Sequence, residues 1–139
     1  MIPEFEVTIL GNTSSIPVHG RNHTAQVVRF GQEFFLLDCG EATQIQMRRF
    51  KVKSSKINHI FISHLHGDHY FGLIGLLSSM SLSGRKETLY LIGPPALNEI
   101  INLQITHGGI SLNFSIDFIA TNPNQPSFVT QTNLFSIES

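Results

Sequence analysis

Three imidazoles and a carboxylate crowd into Ser63-His64-Leu65-His66-Gly67-Asp68-His69. Neutral imidazole and carboxylate together suit Zn²⁺ and its borderline neighbours. Such groups cannot all converge from one regular helix or strand, so the pattern predicts a loop at a strand end. The apolar run Ile57 to Ile62 stands directly before it and predicts that strand. On the loop, the alternate residues His64 and His66 can grip one ion. Asp68 and His69, aimed elsewhere, can grip a second. Two ions roughly 3.5–4 Å apart form the clamp used for phosphoryl and acyl hydrolysis. The bland alternative is a surface histidine cluster, against which the strand-loop-helix context speaks.

The elements that must position this loop follow from periodicity. Phe5 to Leu10 alternates as a strand, and Ala25 to Phe30 with Phe34 to Leu37 predicts a hairpin around Gly31-Gln32. Ala42 to Phe50 reads as a helix with Ala42, Ile45 and Arg49 or Phe50 on one side. Tyr70 to Met80 reads as a second helix whose core face is Leu73, Leu76, Leu77 and Met80. Its Gly72 and Gly75 are poor helix formers and imply close packing against the sheet or the metal loop. Ser81 to Lys86 reads as a linker and Leu89 to Ile92 as a strand. A helix follows, with Pro95 in its first turn and Gly108-Gly109 as its stop. Phe114, Ile116 and Phe118 alternate as a strand, and Phe128 to Val129 and Leu134 to Ile137 as two more.

Asp38 ends a buried-looking strand, where an unpaired carboxylate is expensive. It either orients a ligand histidine or a nearby amide, or caps the helix that follows. Arg21 and Asn22, in the long loop Pro17 to His23, are substrate-contact candidates, since Arg suits phosphate. A solvated loop is the alternative. Cys39 reads as a small buried residue, because the sequence places no base beside it. Lys51, Lys53 and Lys56, with Arg48 and Arg49, are a basic cluster that either meets a polyanion or solvates a helix end. His59 reads as structural.

The 139 residues suffice for one domain with a core, at 41% apolar and 14% charged composition. A net charge of -1 advertises no overall field for nucleic acid, although a local patch would escape that test. One cysteine excludes an internal disulfide and fits a reducing, cytoplasmic setting. No apolar leader is expected at the start, and the run Phe71 to Leu77 is too short and glycine-broken to span a membrane.

The whole chain resembles the N-terminal half of ribonuclease Z, the tRNA 3′-processing endonuclease of the metallo-β-lactamase superfamily. The carrying blocks are Leu10-Gly11-Asn12-Thr13, Pro17-Val18-His19-Gly20-Arg21-Asn22, Leu37-Asp38-Cys39-Gly40-Glu41-Ala42-Thr43-Gln44, Phe61 to His69, Phe71 to Leu77 and Ile92-Gly93-Pro94-Pro95. The histidine motif alone signals only the superfamily; the other blocks narrow it.

The resemblance implies an αββα sandwich of the α/β class, of which residues 1–139 are one αβ half. It implies two zinc ions, precursor tRNA as substrate, a homodimer and a cut that leaves a 3′-hydroxyl. Carried over, His64 and His66 bind one zinc, Asp68 and His69 the other, and Asp68 is the proton acceptor. The Pro17 to Asn22 loop positions the tRNA end. His19 stands where the family commonly has Lys, and Ala42 where it has Gly. A further His for each zinc, a bridging Asp and the tRNA-gripping arm belong to the family's other half. The chain is therefore expected to hold part of the site, as a truncated product or one piece of a two-chain assembly. The alternatives are another hydrolase of this fold, acting on small phosphodiesters or esters, and an inactive half-domain.

Overall fold

The structure is a computed structural model and describes residues 3–126, 128–131 and 136–138. Six strands build the main sheet among the described residues. They are β1 (Phe5–Gly11), β2 (Ala25–Phe30), β3 (Glu33–Leu37), β4 (Ile57–Phe61), β5 (Leu89–Gly93) and β6 (Ile116–Ala120), ordered as in the chain. The first three run antiparallel, and β3 through β6 run parallel. Parallel neighbours need crossovers, which here carry helices. The helices are α1 (Thr43–Arg49), α2 (Gly67–Tyr70), α3 (Leu73–Leu82) and α4 (Pro95–His107). Strands β7 (Phe128–Gln131) and β8 (Ser136–Glu138) pair separately as a small antiparallel sheet. The expected strand at Leu134 begins outside the described residues.

Pairing puts Val27 beside Leu36, Leu36 beside Ile60, and Ile60 beside Leu91. That row shares one buried cluster with Met47 of α1, Leu73, Leu76, Leu77 and Met80 of α3, and Leu97 and Ile101 of α4. The helices thus cover one face of the sheet. The other face is also apolar but open: Phe5, Val7 and Ile9 are 66%, 46% and 49% exposed.

Three readings from periodicity change. The inward face of α1 is Thr43, Gln46 and Met47, and Ile45 is 63% exposed. Polar residues can face inward there because they are satisfied. The Thr43 hydroxyl donates to the Gly40 carbonyl at 2.6 Å, and the Gln46 amide donates to the Leu10 carbonyl at 2.8 Å. The helix expected over Tyr70 to Met80 is two helices, the first starting within the metal motif at Gly67. The expected linker after Ser81 instead carries the buried Arg85. Its guanidinium donates to the carbonyls of Ile57, Glu87 and Thr88 at 2.9–3.0 Å and to Asn58 Oδ1 at 3.0 Å. Five N–H donors in a fixed fork let one side chain tie β4 to the start of β5.

Gly72 packs against the Gly40 carbonyl, and a Cβ there would collide with it. Gly72→Ala is expected to lower unfolding free energy by roughly 1–3 kcal/mol. Urea unfolding measures it, and an unchanged midpoint would show that the two segments yield freely.

His59 is stacked on Tyr90 at 4.9 Å between ring centroids, and its buried Nδ1 has no hydrogen-bond partner among the described residues. Burial lowers its pKa from the ordinary 6.5. Below about 6.5 the unfolded chain therefore binds more protons than the folded one, so stability falls as pH drops toward the folded value. His59→Phe keeps a ring in the stack without titrating and is expected to weaken this acid sensitivity. Unfolding curves of both proteins from neutral to mildly acidic pH check it, and parallel profiles would refute the role.

Candidate metal centre

The site forms where β3 and β4 end side by side. Leu37 pairs with Phe61, so Asp38 and Ser63 emerge at the same edge of the sheet. Asp38 takes a left-handed backbone conformation, with φ 58°. Few side chains tolerate that region, and Asp is among those enriched there. The turn aims its carboxylate across at the motif. Oδ1 accepts the Ser63 amide at 2.8 Å, and both oxygens lie within 3.0 Å of the Ser63 hydroxyl. Oδ2 accepts from His69 Nδ1 at 2.8 Å. The helix cap, the other reading of Asp38, falls to Ala42, which makes no side-chain capping bond.

These bonds select the tautomers. A carboxylate only accepts, so His69 Nδ1 carries the proton and Nε2 keeps a lone pair. The single Ser63 hydroxyl proton goes to Asp38. His64 Nδ1, 3.0 Å from that hydroxyl oxygen, is then the donor, and its Nε2 is also left free. The ring of His64 sits 4.7 Å from that of His66 and 3.8 Å from that of His69, centroid to centroid. Asp68 and His69 lie within α2, not on the loop itself, and His66 precedes it with extended geometry.

Asp68 Oδ2 accepts the Ser15 amide at 2.7 Å. That bond above all, helped by the nearby His69 and His23 and opposed by burial, holds the carboxyl below the ordinary carboxylate range. The loop after β1 is thus latched to the motif at Ser15, itself left-handed with φ 63°. Arg21 and Asn22 lie farther along that loop. Arg21 is exposed and borders a depression with Leu10 and Gln46, and the Asn22 carbonyl accepts the Asn12 and Thr13 amides at 3.0 and 3.1 Å.

His69 Nε2 and Asp68 Oδ2 stand 3.5 Å apart. Tetrahedral zinc with bonds near 2.0–2.1 Å separates its ligands by about 3.3 Å, so the pair fits that ion. Among the described residues no three His, Cys, Asp or Glu groups close around one point. The four groups of the motif lie together, with the His64 ring nearer that of His69 than that of His66, and His69 Nε2 facing Asp68 Oδ2.

A family model described as Anti-Pycsar protein Apyc1 matches residues 5–117. The chain belongs to that family. It is 38% identical to the ribonuclease Z of Phocaeicola vulgatus over 136 residues, which is 98% of this chain and 44% of that protein. It is 49% identical to the ribonuclease Z of Cytophaga hutchinsonii over 115 residues, 83% of this chain and 37% of that protein. The crystal structure of human tRNase Z, short form, aligns with a TM-score of 0.82 at 30% identity, covering 95% of this chain and 58% of that one. The chain therefore spans less than half the length of these two curated relatives. The fold is the metallo-β-lactamase fold that the motifs suggested, and a protein of that fold from Bacillus subtilis aligns as well, with a TM-score of 0.66.

Three contributors in this family member escaped the sequence reading. Ser63 is quoted in the motif, yet its hydroxyl proves to be the hinge between Asp38 and two histidines. Only its place beside His64 hints at that. The Ser15 amide has no sequence signal, since any residue supplies one. His23 is buried beside Gly40, with Nδ1 3.5 Å from Glu41 Oε2. Cys39 is fully buried with its pKa pushed up to about 12, first by burial, so it is no nucleophile.

Asp38→Asn is expected to weaken zinc binding about 10–100-fold by releasing the His69 ring. Competition against a chromophoric chelator measures it, with circular dichroism as the folding control. Unchanged affinity would remove Asp38 from that role.

Proposed function

We propose that the protein is a zinc-dependent endoribonuclease that removes the 3′ trailer from precursor tRNA and leaves a 3′-hydroxyl. The observation that carries this reading is the donor set His64, His66, Asp68 and His69, oriented through Asp38 and Ser63, in a chain similar to ribonucleases Z along nearly its whole length. Residues 1–139 form the N-terminal half of the catalytic domain. The open apolar face of β1 gives the remaining half a sheet surface to cover. That half supplies the outstanding ligands, the assembly is a homodimer, and the compartment is the cytoplasm. No helix among the described residues is long and apolar enough to cross a membrane.

His64 and His66 would hold one zinc, and Asp68 and His69 would hold the second. When bound, the ions supply Lewis-acid polarisation of the phosphodiester and acidify water in the site. The chain's own groups do the rest. Asp38 and Ser63 fix the imidazole tautomers so that lone pairs face inward. Asp68, kept ionised by the Ser15 amide, presents its other oxygen to the attacking water. A carboxylate held below its usual range is a weak proton store, so it orients water and passes the proton on. The water oxygen bonds to phosphorus as the bond to the 3′-oxygen breaks. That oxygen takes a proton, and the phosphate stays on the trailer. Arg21 and Asn22 contact the tRNA end.

A second reading, a hydrolase of small phosphodiesters or esters, keeps one support: the matching family model is named for an anti-Pycsar protein, not a ribonuclease. Precursor tRNA and a small chromogenic phosphodiester, offered in competition, separate the two. With tRNA as the preferred substrate, Asp68→Ala is expected to lower cleavage by roughly 10²–10⁴ without unfolding the chain. Near-wild-type cleavage by that variant would overturn the assignment.

A further inference from the structure

We propose that the groove at the carboxyl end of α1, lined by Lys51, Lys53 and Lys56, is a second contact for the phosphate backbone of RNA, remote from the metal loop. This rests on the reading of the protein as one that acts on RNA.

The charge distribution is lopsided. Five of the nine Lys and Arg residues fall between Arg48 and Lys56, and no acidic residue stands between Glu41 and Asp68. A chain of net charge -1 thus concentrates its positive field at one place. Tertiary structure turns the segment into a concave site of about 270 Å³. Phe34 and the half-exposed Phe50 give it an aromatic wall. Lys56 Nζ lies over the Phe34 ring at 5.3 Å and Arg29 over it at 5.7 Å, which holds both cations in place. Arg29 is neutralised by Glu4 at 3.3 Å and Glu6 at 3.7 Å. The three lysines have no carboxylate partner among the described residues. Glu6, the acid on the groove, is turned to Arg29.

The backbone adds an independent point. Lys51 closes α1 in the left-handed conformation, with φ 60°. Its amide donates to the Arg48 carbonyl at 3.2 Å, and the Val52 amide donates to the Met47 carbonyl at 2.8 Å. That is the helix-ending turn in which glycine is the usual occupant of this position. The turn projects the Lys51 side chain from the end of the helix, at a position where lysine is less favourable for the backbone than glycine.

Position fits a long, structured polyanion. Lys56 immediately precedes β4, and His64 follows its far end, roughly 20–25 Å away at the rise of a strand. An RNA helix spans that distance, whereas a small phosphodiester does not. The groove is lined by Thr8, Val27 and Phe34, which belong to the helix-covered side of the sheet. A second layer on the opposite, open face leaves it uncovered.

The test is binding of fluorescently labelled tRNA to the protein by anisotropy across a salt series. In Lys51→Gln/Lys53→Gln/Lys56→Gln, affinity is expected to fall at least about tenfold, and the slope of log affinity against log salt by about 2–3. Lys51→Gly is expected to keep or raise the melting temperature while reducing the slope by about 1, which separates the contact from folding. Lys86→Gln, outside the groove, is expected to leave both unchanged. An unchanged affinity and slope in the triple variant would overturn the groove. So would polyglutamate competing as well as tRNA, which would assign the patch to an acidic protein. RNA held through the groove by a protein that never cleaves it would overturn the cleavage reading alone.

Discussion

The segment Asp38–Cys39–Gly40 is the point at which the molecule is tied together. Its side chain at Asp38 collects Ser63 and His69. Its backbone is held just as tightly: the Asp38 amide donates to the Phe61 carbonyl at 2.7 Å and the Cys39 amide to the His69 carbonyl at 2.7 Å. The Gly72 amide donates to the Cys39 carbonyl at 2.9 Å, and the Gly40 amide to the Thr24 carbonyl at 3.1 Å. Four elements meet on three residues. Gly40 must be glycine because a Cβ would strike the Asp68 carbonyl and the His23 side chain. Gly72 must be glycine because it lies on Gly40. The motif is therefore a strand-end turn clamped from below by another strand-end turn.

That clamp explains how ionisable groups can be gathered in a partly buried place. The His64 and His69 rings are each oriented through Nδ1, and each carboxylate accepts from a defined donor. Asp68 depends on a backbone amide from a loop more than fifty residues earlier in the chain, so the metal pair and the loop after β1 are one mechanical unit.

The sheet has two apolar faces and uses them differently. Helices α1, α3 and α4 bury one around Leu36, Ile60 and Leu91. The other stays open along β1, with aromatic and branched residues at alternate positions, as expected of strands built to be covered on both sides. The basic groove lies on the helical side and the metal loop at the carboxyl ends of β3 and β4. These are separate surfaces of one layer.

Much of this was legible in the residues. Period-two runs marked the strands, Gly31 and Gly108-Gly109 marked the turns, and a dense His/Asp motif behind an apolar run marked the turn at the end of β4. These signals are local, because strand alternation and ligand type are written in neighbouring residues. Other features are decided by partners far away in the chain. The inward face of α1 is set by acceptors at Leu10 and Gly40, which outweigh the apolar pattern of Ile45. Arg85 is buried because three carbonyls and one side-chain amide oxygen meet its fork. Asp38 is an orienter and not a cap because its left-handed turn faces Ser63. The sequence by itself determined which groups could bind a metal and which runs could form strands. Only the tertiary structure decided which proton sits on which nitrogen, because that depends on hydrogen-bond partners brought together by folding.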